Sequence, residues 1–510
     1  MTSMVATQSS TLMGHPRGLA VLFFAEMWER FSFYGMRALL IFYLTEHWLF
    51  GDSVSTGIYA AYGSMVYLMP VIGGYLADRL LGFRKAVVFG AILLVCGHTG
   101  MAFEGEAARL VDGEVVRDEA ALQVFYFSLA FIIMGVGFLK SSISNIVGQL
   151  YDRDTDTSRR DAGFTIFYMG INLGAVSASL LCGYLGQTYG WAYGFGLAGI
   201  GMFIGLVTFI WGRPWLEGAG EPANPKYLAE KVVFGLNREW LTYLGGLGGV
   251  IVAWFLMQRI GLVSGALYLT ASIAAAGVIY YAWSKCDVRE RGRLLVLLFL
   301  TAVSVVFWAL FEQAGSSLNL FTVRNILLPS GVQASQLQSL NPAFIIMLAP
   351  LFSMLWVGLA RRGWEPSLPA KFGFGVLQAG LGFGALVIGC SQADSAGQVA
   401  FMWIALAYLL HTTGELCLSP IGLSAVTSLS PVRIVGSMMG IWFLSSAFAH
   451  TVAGLIAQTA SVSESPGAEI DAVQSLAIYG DTFEFLLYVG AAVGICVLLL
   501  SPWLKRAMER

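Results

Sequence analysis

Residues 22–40 read LFFAEMWERFSFYGMRALL, and in this stretch apolar and aromatic residues surround four charged ones. The apolar length is typical of a membrane-spanning helix, which needs about 20 such residues. A charge at mid-bilayer costs ~2.5–3.5 kcal/mol, so four charges facing lipid would cost on the order of 10 kcal/mol. At ~100° per residue, the four share one stripe of the helix, which we expect to face the interior of a helix bundle. They are Glu26, Glu29, Arg30 and Arg37.

The composition of the whole chain indicates a membrane protein with many helices. Its 510 residues are 57% hydrophobic and only 12% charged, which is more apolar than a soluble protein of this size. The apolar runs are long and continuous, unlike the ~10-residue alternating segments of outer-membrane barrels. We therefore predict an all-α polytopic membrane protein.

Fourteen apolar stretches are long enough to span a bilayer. They are roughly 18–45, 55–79, 84–103, 121–149, 161–187, 190–211, 240–258, 262–284, 293–322, 340–360, 370–390, 398–428, 434–459 and 481–503. Residues 212–239 are polar and are expected to form a long linker.

The 29 lysines and arginines predict the orientation. If the N-terminus is cytoplasmic, four of them lie on the outer side of the membrane, namely Arg109, Arg117, Arg259 and Arg324. Three more lie within spans, namely Arg30, Arg37 and Lys140, and the others lie in cytoplasmic segments. This distribution follows the positive-inside rule and predicts that both termini are cytoplasmic. The N-terminal residues lack the features of a cleavable signal, so the first span is expected to serve as its own insertion signal.

Residues 73–87, GGYLADRLLGFRKAV, join the second and third spans. Gly73 and Gly74 allow helices to approach closely, and charged residues follow them. The segment resembles the signature of the major facilitator superfamily, which implies two six-helix bundles around a central site. On that resemblance we expect an N-terminal bundle at 1–213, a linker with two additional transmembrane helices at 214–292, and a C-terminal bundle at 293–510.

Further polar residues fall inside predicted spans. Lys140, Glu312 and Glu415 are charged, and Asn172 and Asn341 add amides. Ion pairs that lock helices together are one explanation, but buried ion pairs stabilise poorly, so their accumulation suggests a function. Cations on some spans and a carboxylate on another favour a zwitterionic ligand whose carboxylate an arginine can grip. Candidate residues for side-chain pockets are Tyr34, Tyr67, Trp308, Trp442 and Ser446.

Several motifs together resemble the proton-coupled oligopeptide transporter (POT/PTR) family. EMWERFSFYGMRALL (26–40) is similar to the first-helix motif, and FYMGINLGA (167–175) to the fifth-helix signature. FWALFEQAGSSLNLF (307–321), QSLNPAFIIMLAP (338–350) and GELCLSPIGLSAV (414–426) are similar to helices 7, 8 and 10. The resemblance extends over nearly the whole chain, and the two extra helices are typical of bacterial members.

The resemblance implies roles for individual residues. Proton coupling is expected at Glu26, Glu29, Arg30, Glu312 and Lys140. Arg37 is expected to pair with Glu312 beside the peptide carboxylate, and Tyr34 and Tyr67 to line the cavity. The peptide amino terminus is expected to be held by Asn172, Asn341 and Glu415.

The sequence departs from the family pattern at two positions. Phe33 replaces the first tyrosine of a Tyr-Tyr pair, so one hydroxyl contact is absent. Ala60 stands where some members carry a histidine in the second helix, so proton transfer cannot use that histidine. The other histidines do not occupy this position. His411 lies one turn before Glu415 and is able to reach it, although a packed neutral imidazole is the favoured interpretation.

These observations predict a symporter that imports di- and tripeptides with protons by alternating access, in the bacterial inner membrane. We expect no cofactor beyond the coupling proton, no nucleic-acid partner and no obligate protein partner. Alternatives are uptake of another small zwitterion or anion and a transport-inactive nutrient receptor. No H-E-x-x-H or G-x-S-x-G motif suggests an enzyme. We also expect Asp52 and Arg324 to form an outer gate, with two solvated charges as the alternative.

Overall fold

The computed structural model describes residues 11–151, 157–233, 235–462 and 470–509. Within them, thirteen helical segments are long and apolar enough to cross a membrane. Helix α1 (Arg17–Phe42) is a further candidate, because its 26 residues extend about 39 Å. It is less apolar than the others because it carries the four charges of the opening stretch. The expected all-α architecture with about fourteen spans is therefore confirmed.

The helices fall into two groups joined by a linker. The N-terminal group contains α1, α2 Asp52–Leu76, α3 Phe83–Met101, α4 Glu119–Leu150, α5 Thr157–Tyr189 and α6 Trp191–Trp211. The linker contains α7 Pro225–Ala229, α8 Arg238–Met257 and α9 Ile260–Lys285. The C-terminal group contains α10 Val288–Phe311, α11 Ser317–Asn325, α12 Leu340–Arg361, α13 Leu368–Ser391, α14 Phe401–Leu429, α15 Val435–Thr459 and α16 Ala472–Glu509.

Short elements complete the described chain. π-Helical turns follow α1 and α2 at Tyr43–His47 and Ala77–Leu81. Turns of 3₁₀ helix occur at Arg213–Leu216, Glu312–Gly315, Ala334–Ser339 and Val432–Ile434. The strands pair antiparallel as β1 Thr11–Leu12 with β2 His15–Pro16, β3 Arg109–Val111 with β4 Glu114–Val116, and β5 Lys231–Val233 with β6 Leu236–Asn237, and parallel as β7 Ile326–Leu327 with β8 Val399–Ala400.

Several helices begin where their sequences supply a side-chain cap. Asp118 accepts a hydrogen bond from the backbone N–H of Ala121 (3.0 Å) at the start of α4. Asp287 accepts one from Glu290 (2.7 Å) at the start of α10. Such caps satisfy backbone donors that have no partner in the first turn. The Asp287 cap places the start of α10 at Val288, whereas the C-terminal bundle was expected to begin at residue 293.

The expected boundaries of the final span need correction. The final span was placed at 481–503, whereas α16 runs from Ala472 to Glu509, because polar residues continue the helix beyond its apolar centre. The stretch 212–239, which was expected to form a long polar linker, contains a 3₁₀ turn, α7 and the β5–β6 hairpin. Arg84 pairs with Glu221 of this linker, and Lys85 pairs with Glu239 at 2.7 Å. The charges after α2 therefore fasten the linker to the N-terminal group.

Glycines allow the close packing that the motif at 73–87 predicts. A Cβ added at Gly73 would lie 2.2 Å from the carbonyl oxygen of Gly137, so α2 and α4 meet backbone to backbone. Between the groups, a Cβ at Gly454 of α15 would lie 2.3 Å from the Cβ of Ala60 in α2. Larger side chains at these positions would force the helices apart.

Several contacts between the two groups lie at one end of the molecule, which we call the closed side. Ser335, in the turn before α12, donates to Gln187 near the end of α5 (2.6 Å). Gln336 donates to the carbonyl of Leu180 (3.1 Å). The Asp52–Arg324 pair described below lies at the same end. These contacts hold the groups together at the closed side.

The two linker helices attach to different groups. Trp254 of α8 donates to Gln123 of α4 (2.9 Å) and stacks on Phe127. Tyr268 of α9 packs edge-on against Phe448 of α15. Helix α8 therefore rests on the N-terminal group, and α9 rests on the C-terminal group.

Candidate functional site

The charged stripe of α1 is buried, as the sequence predicts. Arg30 lies between two carboxylates: it pairs with Glu29, and its Nε lies 3.2 Å from Glu26 Oε1. The three charges therefore form one network along the helix. Buried charges of this kind are tolerated only when they are paired.

A cavity of about 340 Å³ lies between the two groups. Its volume is within the ~300–1,000 Å³ typical of small-molecule sites. Of the predicted residues, its walls contain Glu26, Arg30, Tyr34, Arg37, Tyr67, Lys140, Asn172, Trp308, Glu312, Asn341 and Glu415. Tyr168, in the first third of α5, also lines the cavity and is exposed, which indicates that the cavity opens away from the closed side.

One end of the cavity is formed by the expected pair of Arg37 and Glu312. The guanidinium of Arg37 donates to the Glu312 carboxylate and, through Nε, to the hydroxyl of Tyr59 at 2.6 Å. Glu312 occupies the point where α10 ends and a 3₁₀ turn begins. The span expected at 293–322 is present as the segment Val288–Asn325, and this turn lies inside it.

Helix α2 packs directly against this turn. A Cβ added at Gly315 would lie 1.7 Å from the hydroxyl oxygen of Tyr59, so only glycine fits there. The same tyrosine accepts the Arg37 hydrogen bond. Tyr59 therefore both shapes the turn that carries Glu312 and holds the arginine that faces it.

A different part of the wall holds a carboxylate with neutral partners. Asn341 donates through Nδ2 to Glu415 (2.9 Å) and to Thr412 (3.0 Å). Asn172 instead donates to the backbone carbonyl of Tyr168 (3.1 Å) and lines the cavity nearby. The structure thus brings Asn341 and Glu415 into direct contact, and Asn172 into the same cavity.

Lys140 contacts an aromatic ring and makes no ion pair within the described residues. Its Nζ lies 3.9 Å from the centroid of the Tyr67 ring, a cation–π contact. The carboxylates of Glu26 and Glu312 share the cavity with it. The ammonium group of Lys140 therefore faces the cavity, where the charges of Glu26 and Glu312 act on it.

Three predicted residues do not line the cavity. Glu29 is fully buried behind Arg30. Trp442 packs against Phe372 and Gly422 within the C-terminal group. Ser446 follows one turn later on α15 and is absent from the cavity walls.

His411 bonds to the backbone of α13 and not to Glu415. Its Nε2 lies 3.1 Å from the carbonyl oxygen of Ala379. The packed interpretation is therefore the right one, and the suggested contact with Glu415 is wrong.

The expected outer pair forms, and it is buried. Arg324 donates to both oxygens of Asp52, at 2.6 and 2.7 Å. Tyr479 accepts from the same guanidinium (2.9 Å), and the backbone N–H of Val462 donates to Asp52 (3.0 Å). The alternative of two solvated charges is wrong, since both side chains are less than one-tenth exposed.

Sequence reasoning missed several residues of the site. Tyr59 and His450 flank Glu312, and Tyr168, Gln338 and Tyr408 line the cavity. The hydroxyl of Tyr408 is buried and has no hydrogen-bond partner within the described structure. Tyr168 lies one helical turn before Asn172, a spacing that indicates a shared face. No such signal exists for His450, which reaches the site from another helix.

The arrangement offers a ligand opposite charges at different parts of one cavity. Arg37 can bind a carboxylate once it leaves Glu312, and Glu415 can accept hydrogen bonds from an ammonium. No cluster of three or more His, Cys, Asp or Glu side chains suited to a metal occurs in the described part of the chain. A helical membrane protein with such a cavity between two helix groups is a transporter in class.

Comparisons with known proteins specify this class further. The family model described as the POT family matches residues 84–473. A peptide transporter of Yersinia enterocolitica is 38% identical, with 88% of each chain covered. A dipeptide and tripeptide permease A of Cronobacter turicensis is 30% identical over 97% of this chain and 94% of its own.

The fold is also shared with solved structures. A crystal structure of a POT peptide transporter variant in complex with alafosfalin superposes with a TM-score of 0.81 and 34% identity, covering 98% of both chains. The chain therefore belongs to the POT family. It has the major facilitator fold, two six-helix bundles with two additional transmembrane helices.

Proposed function

We propose that this chain is a proton-coupled symporter that imports di- and tripeptides. The observation that carries the proposal is the polarised cavity, which holds Arg37 paired with Glu312 in one part and Asn341 paired with Glu415 in another. A peptide is a zwitterion with its charges at opposite ends. Its carboxylate suits Arg37, and its ammonium suits Glu415 and Asn341. The relatives named as peptide transporters support this substrate class.

The coupling follows from competition for Arg37. Protonating Glu312 removes the negative charge that holds the guanidinium. Arg37 is then free to bind the peptide carboxylate, so proton and peptide bind together. A proton drives transport only if its binding favours one conformation over the other. Glu312 is placed to do this because it lies on the C-terminal group and Arg37 lies on the N-terminal group.

Alternating access then consists of rocking residues 1–213 against 293–510. We place the closed side outside the cell and both termini in the cytoplasm, in a bacterial inner membrane. In this orientation the structure is closed outward and its cavity opens inward. The transporter needs the lipid bilayer and the proton, and no further cofactor or protein partner enters this scheme.

The test is uptake into liposomes that contain the purified protein. An inward proton gradient is imposed, and labelled dialanine, free alanine and nitrate are compared. Accumulation of dialanine that a protonophore abolishes supports the proposal. Preference for alanine or nitrate identifies another small zwitterion or an anion as substrate, although Glu415 disfavours anions. Binding of dialanine without accumulation identifies a nutrient receptor.

A further inference from the structure

His450 of α15 lies against the coupling carboxylate. Its Nδ1 is 3.7 Å from Glu312 Oε2, and both side chains are almost fully buried. Its ring packs on Tyr67, with the centroids 4.8 Å apart. His450 does not line the peptide cavity. It therefore contacts the carboxylate from behind, on the side opposite the ligand.

The imidazole ring of His450 packs closely against Gly63 of α2. A Cβ added at Gly63 would lie 2.6 Å from His450 Nδ1, so the imidazole occupies the space that a side chain there would take. The crevice between His450 and Glu312 is also lined by Tyr59, Ala60 and Gly454, and it is too narrow to admit a water molecule. Proton transfer between the two side chains is therefore direct, and it requires the 3.7 Å separation of Nδ1 and Oε2 to shorten to hydrogen-bond distance.

The other ionisable groups around His450 come from three helices. Arg37 lies on α1, Tyr59 and Tyr67 lie on α2, and Lys140 lies on α4. Among the described residues, Glu312 is the carboxylate within ion-pair distance of the imidazole. A positive charge on His450 is therefore attracted by Glu312 and repelled by Arg37 and Lys140. Two cations then compete for one carboxylate.

We propose that the transported proton is shared between Glu312 and His450, so that protonated His450 becomes the partner of Glu312 when Arg37 turns to the peptide carboxylate. In the step, the Oε2–H bond of Glu312 breaks and an Nδ1–H bond of His450 forms. The neutral ring carries its other hydrogen on Nε2, and Arg37 stays protonated throughout. This keeps Glu312 paired in both states, which avoids an isolated buried charge.

The inference rests on the proposed function and is tested in the same liposomes. His450→Gln keeps a polar side chain of similar reach but cannot hold the proton. We expect proton-driven dialanine uptake to fall at least about a hundredfold, the lower end of the ~10²–10⁴-fold range for a lost proton-transfer group. Counterflow of dialanine without a gradient should change less than about twofold, since the ligand contacts remain. The pH profile of uptake should lose one of two coupled titration steps.

Two further variants separate proton transfer from packing. His98→Gln changes another buried histidine, one in α3 that has no hydrogen-bond partner within the described chain, and it should leave all three readouts unchanged. Gly63→Ala displaces the His450 ring and should alter the pH profile in the same direction as His450→Gln.

A wild-type pH profile in His450→Gln overturns the inference while leaving the proposed function intact. Uptake and counterflow that fall together in both His450→Gln and Gly63→Ala also overturn it, since His450 is then a packing residue. A wild-type protein without proton-driven peptide uptake removes the proposed function, and the inference with it.

Discussion

Arg37–Glu312 and Arg324–Asp52 are two ion pairs that join the same two helix groups, yet their surroundings differ. The first lines a cavity of about 340 Å³, beside other ionisable side chains. The second is enclosed by Tyr479 and the backbone of Val462 at the closed side. The charges are also reversed, since the N-terminal group supplies the arginine in one pair and the aspartate in the other.

This difference indicates that the two ion pairs have different functions. A ligand carboxylate can compete for Arg37, because the cavity gives it access to the guanidinium. Arg324 does not line the cavity, so a ligand in the cavity cannot compete for it while the two groups are in contact. The outer pair therefore responds to the movement of the groups. We therefore interpret the inner pair as a sensor of proton and peptide, and the outer pair as a latch for one conformation.

The largest effect is expected at Glu312. Glu312→Gln cannot bind or release a proton, so proton-driven uptake of dialanine should be lost, while counterflow persists because Arg37 is free. Uptake by the variant in liposomes, with and without a proton gradient, is the measurement. The matched control is Asp52→Asn, which should remain sensitive to the gradient. Equal gradient dependence in both variants would erase the distinction between the pairs.

The second test concerns Glu415, which lies in the part of the cavity that holds Asn341. Glu415→Gln should weaken peptides with a free amino terminus, because losing one partner of a buried charge pair costs ~3–5 kcal/mol. N-acetylated peptides should lose far less. Competition against labelled dialanine gives both affinities. The same loss for both ligand types would show that Glu415 does not bind the ammonium.

The third test exchanges the charges of the outer pair. Asp52→Arg and Arg324→Asp should each reduce uptake at least about a hundredfold, because breaking a buried ion pair costs ~3–5 kcal/mol. The double variant should recover part of the activity. Recovery is partial because the Val462 N–H then faces an arginine instead of a carboxylate. A double variant no better than the worse single one would exclude the latch.

The smallest effects are expected from two matched tyrosines, since each accepts a hydrogen bond from the arginine of one pair. Tyr59→Phe and Tyr479→Phe each remove one such bond, worth ~1.5–3 kcal/mol at most when a charged group is involved. Tyr59→Phe should change peptide affinity, and Tyr479→Phe should change uptake rate with affinity preserved. Binding and initial uptake rates measured on both variants check this. The reverse assignment would contradict the two roles.

Much of the site was predictable because its residues interrupt apolar spans. Charges within helices α1, α4 and α14 are visible in the printed sequence, and burial gives them a physical reason to face a cavity. Tyr59 and His450 were missed because an aromatic or a histidine in a helix has no such signature. Trp442 and Ser446 were assigned to the cavity wrongly, since helix periodicity alone does not show which face of α15 meets the ligand.

The sequence alone therefore determined the membrane-spanning helices, the ionic stripe of α1 and the motifs of the POT family, because the cost of burying charge in lipid is a local property of each helix. Only the tertiary structure decided which charges pair. Two of these contacts join helices that are far apart in the chain: the Asp52–Arg324 latch and the contact of His450 with Glu312. The break after Phe311 lies against Tyr59 of the distant helix α2. Such contacts depend on how the two groups pack, and close packing allows partners that no local pattern encodes.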